Sequence, residues 1–189
     1  MKPEPGALWY VIGPSGAGKD SLLAYARARL PPSGRLVFAH RYITRPADAG
    51  GENHVALSLE EFEQRERSGC FALSWRRHGL AYGLGMEVAL WLDQGLDVVV
   101  NGSRSALPLA ARRFPGLRPV WIVASPAALA ARLAGRGRES PERVAQRLEE
   151  AAALTPPPGA AVLRNDGELA EAGERLLRLL SKDLGRHCP

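Results

Sequence analysis

A glycine-rich loop near the beginning of the chain constrains the fold more than any other sequence feature. Residues Gly13–Lys19 read G-P-S-G-A-G-K and directly follow the apolar run Ala7–Ile12. The next stretch, Lys19–Leu30, has helical periodicity. A strand, a tight glycine loop and a helix in this order form the first unit of an α/β fold, in the context that gives the G-x-x-x-x-G-K pattern its meaning.

The same loop has the chemistry of a phosphate site. Glycines let successive backbone N–H groups point inward, and the N-terminus of the following helix adds positive potential. Lys19 is placed to bridge the β- and γ-phosphates of a triphosphate. The alternative, a glycine turn that arose by chance, does not explain the strand before it, the helix after it and the intact lysine. We therefore predict a nucleotide site at Gly13, Pro14, Ser15, Gly16, Ala17, Gly18, Lys19, Asp20 and Ser21.

The residue after the lysine departs from the usual pattern. A Ser or Thr hydroxyl normally ligates magnesium at this position, whereas this chain has Asp20, with the hydroxyl of Ser21 one residue later. A carboxylate is a hard oxygen ligand that suits Mg²⁺ either directly or through water. Because a carboxylate without a metal would repel the phosphates, the sequence predicts a magnesium site at Asp20.

The rest of the chain alternates short apolar runs with helical stretches. Besides Ala7–Ile12, the predicted strands are Leu36–His40, Leu96–Asn101, Val120–Ala124 and Ala160–Leu163. The predicted helices are Lys19–Leu30, Ser58–Arg67, Met86–Gln94, Arg104–Phe114, Pro126–Leu133, Pro141–Ala153 and Glu168–Asp183. This alternation predicts an α/β fold with a five-stranded, mainly parallel sheet that is covered by helices on both faces.

Chain length and two irregular stretches predict the domain organisation. The 189 residues fit one domain, with its core in residues 1–40 and 86–189. Residues from about 41 to 85 hold one predicted helix and several irregular pieces, which is too long for a simple crossover and predicts a small insertion. The polar, glycine-containing segment from about 135 to 141 is predicted to be a lid.

Composition narrows the class of protein. Lys and Arg outnumber Asp and Glu by 25 to 20, which suits an anionic partner, but the dense basic stripe typical of nucleic-acid binding is absent from the sequence. The two cysteines are far apart, so neither a disulfide framework nor a cysteine metal site is expected. With no apolar run that could span a bilayer and no secretory signal in this sequence, we expect a soluble, cytoplasmic protein that binds neither membrane nor nucleic acid.

Several further motifs follow the loop in a characteristic order. They are Lys19–Ser21 (K-D-S), Arg41–Pro46, Glu52–His54 with Ser58–Phe62, His78–Gly83, Arg136–Ser140 with Arg147, and Asn165–Asp166. Together they resemble the guanylate-kinase-type P-loop kinases from about residue 7 to residue 180. Within that group, K-D-S in place of K-S-T is similar to the ribose 1,5-bisphosphate phosphokinases of the carbon-phosphorus lyase (phosphonate catabolism) pathway.

The departures from guanylate kinase indicate the acceptor. Leu73 replaces the glutamate that reads the guanine edge, and a leucine cannot accept a hydrogen bond from a base. The other replacements are Arg41 for Ser, Asp48 for the second Arg, His54 for a phosphate-binding Tyr, and Asn101 for an Asp. A pocket that loses a base-reading carboxylate and relocates its cations suits a smaller acceptor with phosphate groups and hydroxyls.

The resemblance implies a three-layer P-loop kinase fold with an acceptor-binding insertion and a lid. The implied reaction is ATP- and Mg²⁺-dependent phosphorylation of ribose 1,5-bisphosphate to 5-phospho-α-D-ribose 1-diphosphate (PRPP) and ADP. The implied catalytic residues are Lys19, Arg136 and Arg147, with Asn165 in the nucleotide site. The residues expected to bind the acceptor are Arg41, Arg45, His54, Tyr82 and Asn101.

Alternatives remain open at this point. A guanylate or other nucleoside monophosphate kinase has a similar loop and lid, and some guanylate-kinase-like modules bind proteins without catalysis. Individual residues also have plainer interpretations: solvated surface arginines for Arg41, Arg45, Arg136 and Arg147, a surface histidine for His54, a packed aromatic for Tyr82 and a turn cap for Asn101.

Overall fold

A computed structural model of the chain describes residues 3–30, 35–49, 52, 54–135 and 141–181. Its strands are β1 (Leu8–Ile12), β2 (Leu36–Phe38), β3 (Tyr42–Ile43), β4 (Val55–Ala56), β5 (Phe71–Arg77), β6 (Leu80–Gly85), β7 (Asp97–Asn101), β8 (Leu117–Val123) and β9 (Ala161–Arg164). Its α-helices are α1 (Lys19–Arg29), α2 (Leu59–Arg67), α3 (Glu87–Asp93), α4 (Leu107–Arg113), α5 (Pro126–Gly135), α6 (Pro141–Ala152) and α7 (Leu169–Ser181).

The main sheet has five parallel strands in the order β2-β7-β1-β8-β9. All five residues of β1 are buried, as expected for a central strand covered on both faces. At one edge β2 pairs in parallel with β7, and at the other β8 pairs in parallel with β9. The predicted fold class is therefore confirmed. The largest difference in strand bounds is that β8 begins at Leu117 rather than at Val120.

The segment from 41 to 85 contains a second sheet that the sequence did not indicate. Four strands pair in the order β4-β3-β6-β5, where irregular pieces were expected. Strands β5 and β6 form an antiparallel hairpin across His78 and Gly79, whose φ angles of 50° and 73° both lie in the left-handed region. Helix α2 packs against this sheet through Phe62, whose ring lies 4.6 Å from that of Phe71.

The described residues group into two compact units. One contains residues 3–10 and 35–118, with the gaps given above, and holds the expected acceptor residues. The other contains residues 11–30, 119–135 and 141–181 and holds the phosphate loop with Arg147 and Asn165.

Residues 136–140 of the predicted lid lie outside the described residues. None of the helices in the described ranges combines the length and the apolar character needed to cross a membrane.

A carboxylate–guanidinium pair fastens α2 to β5. Both oxygens of Glu66 accept hydrogen bonds from Arg76, at 3.1 and 2.6 Å, and Ser74 donates to the same carboxylate at 2.6 Å. Together Arg76 and Ser74 lower the pKa of Glu66 to about 2. About a third of the Glu66 side chain is exposed, so solvent screens much of the interaction.

This pair predicts a pH-dependent contribution to stability. Because the pKa of Glu66 is lower in the folded state, the contribution is complete above the unfolded-state pKa and is lost as the pH falls toward 2. We expect Glu66→Gln to lower the free energy of unfolding by about 1 kcal/mol near neutral pH. Urea unfolding of both proteins measures this difference, which should shrink in acid; an equal difference at neutral and acid pH would contradict the prediction.

Candidate active site

The backbone of the phosphate loop requires glycine at two positions. Gly13 approaches β8 so closely that a Cβ would lie 2.3 Å from the carbonyl oxygen of Ile122. Gly18 has a φ of 87°, and a Cβ there would lie 2.5 Å from Asn165 Nδ2. Because Gly18 is the N-cap residue of α1 and has no side chain, no side-chain hydrogen bond from this position caps the helix. The loop therefore presents a helix N-terminus in the form that suits an anion.

The ammonium group of Lys19 lies across this loop. Lys19 Nζ donates to the carbonyl oxygens of Gly13, at 3.0 Å, and Pro14, at 2.9 Å. The side chain is thus held over the residues whose backbone would contact phosphate, and it is only partly exposed. This position suits a cation that balances charge on the β- and γ-phosphates of a bound nucleotide.

Three side chains from other elements reach the same loop. Asn165, directly after β9, donates from Nδ2 to the carbonyl oxygen of Ala17 at 2.8 Å. Arg132 of α5 approaches that same oxygen with Nη1 at 3.5 Å. Arg147 of α6 donates from Nη1 to Ser15 Oγ at 2.9 Å. The structure therefore places both Asn165 and Arg147 at the loop, while the nucleotide-binding role of Asn165 and the catalytic role of Arg147 stay predictions.

Two features of this group were not expected from the sequence. Arg132, on α5, was assigned no role from the sequence. Asn165 is 2% exposed, and its Oδ1 has no hydrogen-bond partner among the described residues. A buried amide oxygen without a partner is costly, so this atom has capacity for a donor from a ligand or water. Arg136 and Arg138 lie outside the described residues.

The residues that could hold magnesium are few. Asp20 lies in the first turn of α1, half-buried, next to the exposed Ser21. In the part of the chain that the structure describes, no group of three or more His, Cys, Asp or Glu side chains could form a metal site. Magnesium usually needs only one or two carboxylates because phosphates and waters complete its coordination. A single carboxylate beside a phosphate loop therefore fits this ion.

The other unit gathers the expected acceptor residues around a carboxylate. Glu52 accepts two hydrogen bonds from the guanidinium of Arg41, one from Nε at 2.9 Å and a shorter one from Nη2. Asn101 Nδ2 donates to Glu52 Oε2 at 3.0 Å, and Arg45 Nη2 lies 4.0 Å from Oε1. Two guanidinium groups and one carboxylate leave this cluster with a positive charge. Sequence reasoning noted Glu52 only as part of a motif and gave it no function.

Arg45 and His54 play different parts in this cluster. Arg45 Nε is buried without a hydrogen-bond partner among the described residues, which leaves a cationic donor available to a ligand. His54 is buried, and its Nε2 lies 3.1 Å from the carbonyl oxygen of Arg45 while its Nδ1 lies 3.1 Å from that of Glu52. Both ring nitrogens thus contact the backbone of the same loop, a geometry that favours a positioning role for His54 over direct donation to an acceptor.

Aromatic side chains of the β5–β6 hairpin pack against Arg41 of this cluster. The ring of Tyr82 stacks on that of Trp75, with centroids 5.4 Å apart and planes 3° from parallel. The guanidinium carbon of Arg41 lies 5.1 Å from the centre of the Tyr82 ring, within cation–π range. Leu73, on the same hairpin, is 4% exposed, and its hydrocarbon side chain has no group that could hydrogen-bond to a base.

The turn after β7 is held by a buried tyrosine. Tyr10 OH donates to the carbonyl oxygen of Ser103 at 3.1 Å and accepts from its backbone N–H at 3.0 Å. Burial raises the pKa of Tyr10 to about 12, so the phenol keeps its proton at any physiological pH. A Cβ at Gly102 would lie 2.4 Å from the Tyr10 ring. This packing fixes the segment that carries Asn101 beside Glu52.

Comparison with known proteins identifies relatives of this chain. No model of a protein family matches the chain. The chain is 70% identical over 180 residues, 95% of its length, to ribose 1,5-bisphosphate phosphokinase PhnN from Chromobacterium violaceum, and it covers 96% of that protein. It is 65% identical over its whole length to a protein of the same name from Laribacter hongkongensis, of which it spans only 45%.

A solved structure supports the fold. Guanylate kinase from Anaplasma phagocytophilum superposes with a TM-score of 0.65 over 100% of this chain and 91% of its own, at 18% sequence identity. At that identity the likeness concerns the fold alone. The sequence identities decide the family, and the resemblance inferred from the motifs is confirmed: this chain belongs to the ribose 1,5-bisphosphate phosphokinase family, with the fold of a guanylate kinase.

Proposed function

We propose that the protein transfers the γ-phosphoryl group of ATP to ribose 1,5-bisphosphate, giving 5-phospho-α-D-ribose 1-diphosphate and ADP. The observation that carries this proposal is the meeting of Lys19, Arg147 and Asn165 at one phosphate loop, in a chain with 70% identity to a ribose 1,5-bisphosphate phosphokinase. The acceptor is inferred from the family, and the residue roles are inferred from the contacts described above.

In this proposal the loop residues and Lys19 hold the triphosphate of the donor. Backbone N–H groups of Gly13–Lys19 accommodate the phosphate oxygens, and Asn165 completes the nucleotide site with its buried amide. Arg147, already at Ser15, stabilises the charge that develops on the transferring group. Arg136 is assigned the same task by its place in the lid motif.

The acceptor is held by the cluster in the other unit. Arg45 offers its Nε, which has no hydrogen-bond partner in the described part of the chain, to an acceptor phosphate. Arg41 and Tyr82 are assigned as further donors. Asn101 is assigned to a ribose hydroxyl, and His54 keeps the loop of Arg45 in place. Leu73 excludes recognition of a guanine edge, since it offers a base no polar partner.

The chemical step needs no covalent enzyme intermediate. An oxygen of the 1-phosphate attacks the γ-phosphorus, a new P–O bond forms, and the bond from that phosphorus to the β–γ bridging oxygen breaks, so ADP leaves with the electron pair. The attacking oxygen is ionised at neutral pH, so positioning and charge neutralisation suffice without a general base. Asp20 is the side chain that would hold magnesium, which would supply positive charge to neutralise part of the charge on the phosphates of the donor.

A direct assay of acceptors tests the proposal. ATP, Mg²⁺ and either ribose 1,5-bisphosphate or GMP are supplied, and ADP release is measured together with the phosphorylated product. We expect the sugar bisphosphate to be used at least about 100-fold more efficiently than GMP, because Leu73 cannot read the base. We also expect chelation of the metal to stop the reaction. Preferential use of GMP would indicate a nucleotide kinase, and absence of turnover with both acceptors would indicate a binding module.

A further inference from the structure

The carboxylate of Glu52 is an unusual group to find where phosphates are expected to bind. Its side chain is only 10% exposed, and it lies against Arg41 and Asn101, with Arg45 at 4.0 Å. The negative charge of this carboxylate would repel a phosphate group placed against it. At neutral pH most phosphate groups also carry no proton that could be donated in a hydrogen bond to the carboxylate. A sugar hydroxyl has a proton to donate and carries no charge.

The hydrogen bonds of Glu52 leave capacity for one further donor. A carboxylate has about four acceptor positions, two on each oxygen. Oε2 accepts from both Arg41 Nε and Asn101 Nδ2, whereas Oε1 accepts only from Arg41 Nη2 among the described residues. Arg45 Nη2 is too far from Oε1 for a hydrogen bond. One acceptor position on Oε1 is therefore available to a ligand.

The geometry also fixes where that position is. Arg41 forms a bidentate pair with both oxygens of Glu52, so the plane of the guanidinium sets the plane of the carboxylate. Arg41 in turn rests on the Tyr82 ring, and Asn101 holds Oε2. A polar group held this rigidly can distinguish a ligand that hydrogen-bonds to it from one that does not.

We propose that Glu52 accepts a hydrogen bond from a ribose hydroxyl of the acceptor, through Oε1, and so makes the site selective for a hydroxylated sugar phosphate. This inference rests on the proposed function, since it names a determinant of acceptor choice within the same site. It assigns the phosphates to the guanidinium groups around Glu52 and one of the sugar hydroxyls to Glu52 itself.

A purely structural role for Glu52 makes a different prediction. If Glu52 only holds Arg41 in place, removing Glu52 lowers kcat/KM by the same factor for every acceptor, whatever hydroxyls the acceptor carries. If Glu52 binds a hydroxyl, its removal and the removal of that hydroxyl are not additive, because each deletes the same hydrogen bond. The ratio of activities with two acceptors therefore separates the two roles, and it is unaffected by the fraction of variant that is folded.

The test combines enzyme variants with deoxy acceptors. The specificity constant kcat/KM is measured for ribose 1,5-bisphosphate and for its 2-deoxy and 3-deoxy analogues, in the wild-type protein, Glu52→Ala and Glu52→Gln. A hydrogen bond to a charged group predicts that the wild type disfavours one deoxy analogue by about 10- to 100-fold. In Glu52→Ala that preference should fall to within about threefold, while Glu52→Gln, which keeps a carbonyl oxygen, should retain part of it.

Glu66→Gln is a matched control. Glu66 also forms a bidentate pair with an arginine, but on α2 and β5 rather than in the acceptor cluster. We expect this variant to keep the wild-type preference between acceptors. A loss of preference in the control as well would mean that the ratio reports general perturbation, and it would overturn the assignment.

The remaining outcomes are also decisive. A wild type that uses both deoxy analogues within about threefold of ribose 1,5-bisphosphate would overturn the inference while leaving the proposed function intact. The same holds if Glu52→Ala keeps the full preference. If both Glu52 variants are inactive, calorimetric titration with the three acceptors gives the same ratios from binding. Failure of the wild type with ribose 1,5-bisphosphate would instead refute the proposed function.

Discussion

Replacing Lys19 with alanine is expected to lower kcat for phosphoryl transfer by about 10³-fold, with little loss of stability. The ammonium group of Lys19 is held across the loop by the carbonyl oxygens of Gly13 and Pro14, where the β- and γ-phosphates would lie. Charge moves onto the bridging oxygen between those phosphates during transfer, and without Lys19 no ammonium group of the loop balances it. The side chain is partly exposed, so its removal leaves no cavity in the core.

Steady-state kinetics of ADP release under saturating ATP, with thermal unfolding of the same samples, measures both effects. Arg29→Ala is the matched control, because it removes one positive charge from the opposite end of the same helix, where Arg29 lies over the Tyr25 ring. This control should retain nearly all of its activity. Activity of Lys19→Ala within tenfold of wild type would contradict the assignment of the phosphate loop.

Replacing Arg147 with alanine is expected to lower kcat by about 10³-fold while changing the affinity for ATP much less. Arg147 donates to Ser15 Oγ, so its guanidinium already lies at the loop that would hold the donor. An arginine that meets the transferring group stabilises the transition state more than the bound substrate, and such an interaction affects kcat rather than binding.

Single-turnover rates and equilibrium binding of ATP separate these two effects for Arg147→Ala. Arg175→Ala serves as the control, because Arg175 forms an exposed ion pair with Glu171 within α7, at 2.6 Å. The control should be close to wild type, since exposed pairs within a helix contribute little. A raised Kd for ATP with an unchanged single-turnover rate would mean that Arg147 acts only in binding.

The strands of the main sheet could be predicted because they coincide with apolar runs that are bounded by turn-forming residues. Strand β1 is buried at every position, and its run of apolar residues is visible without a structure. The second sheet could not be predicted in the same way, since β3 and β4 have two residues each, too few to show a period. A signal did exist for the hairpin of β5 and β6: a glycine at position 79, between two strand-like runs, suits a two-residue turn.

Some residues of the candidate site could likewise be predicted from the sequence, and others could not. The loop Gly13–Lys19 was predictable, because its function requires a continuous run of backbone and hence a continuous motif. Glu52 and Arg132 had no such signal, since their roles depend on partners that are distant in the sequence. Arg132 meets Ala17 across 115 positions and Asn101 meets Glu52 across 49, and only the fold brings these residues together.

The position of the transferred phosphoryl group tests the central claim most directly. Phosphorus NMR of the wild-type protein with ATP, Mg²⁺ and ribose 1,5-bisphosphate follows every phosphate of the product. We expect two coupled diphosphate signals from a new diphosphate at C1, an unchanged 5-phosphate monoester and an equal amount of ADP. Inorganic phosphate and ADP beside an unaltered sugar bisphosphate, or a new phosphate on any other oxygen, would contradict the account.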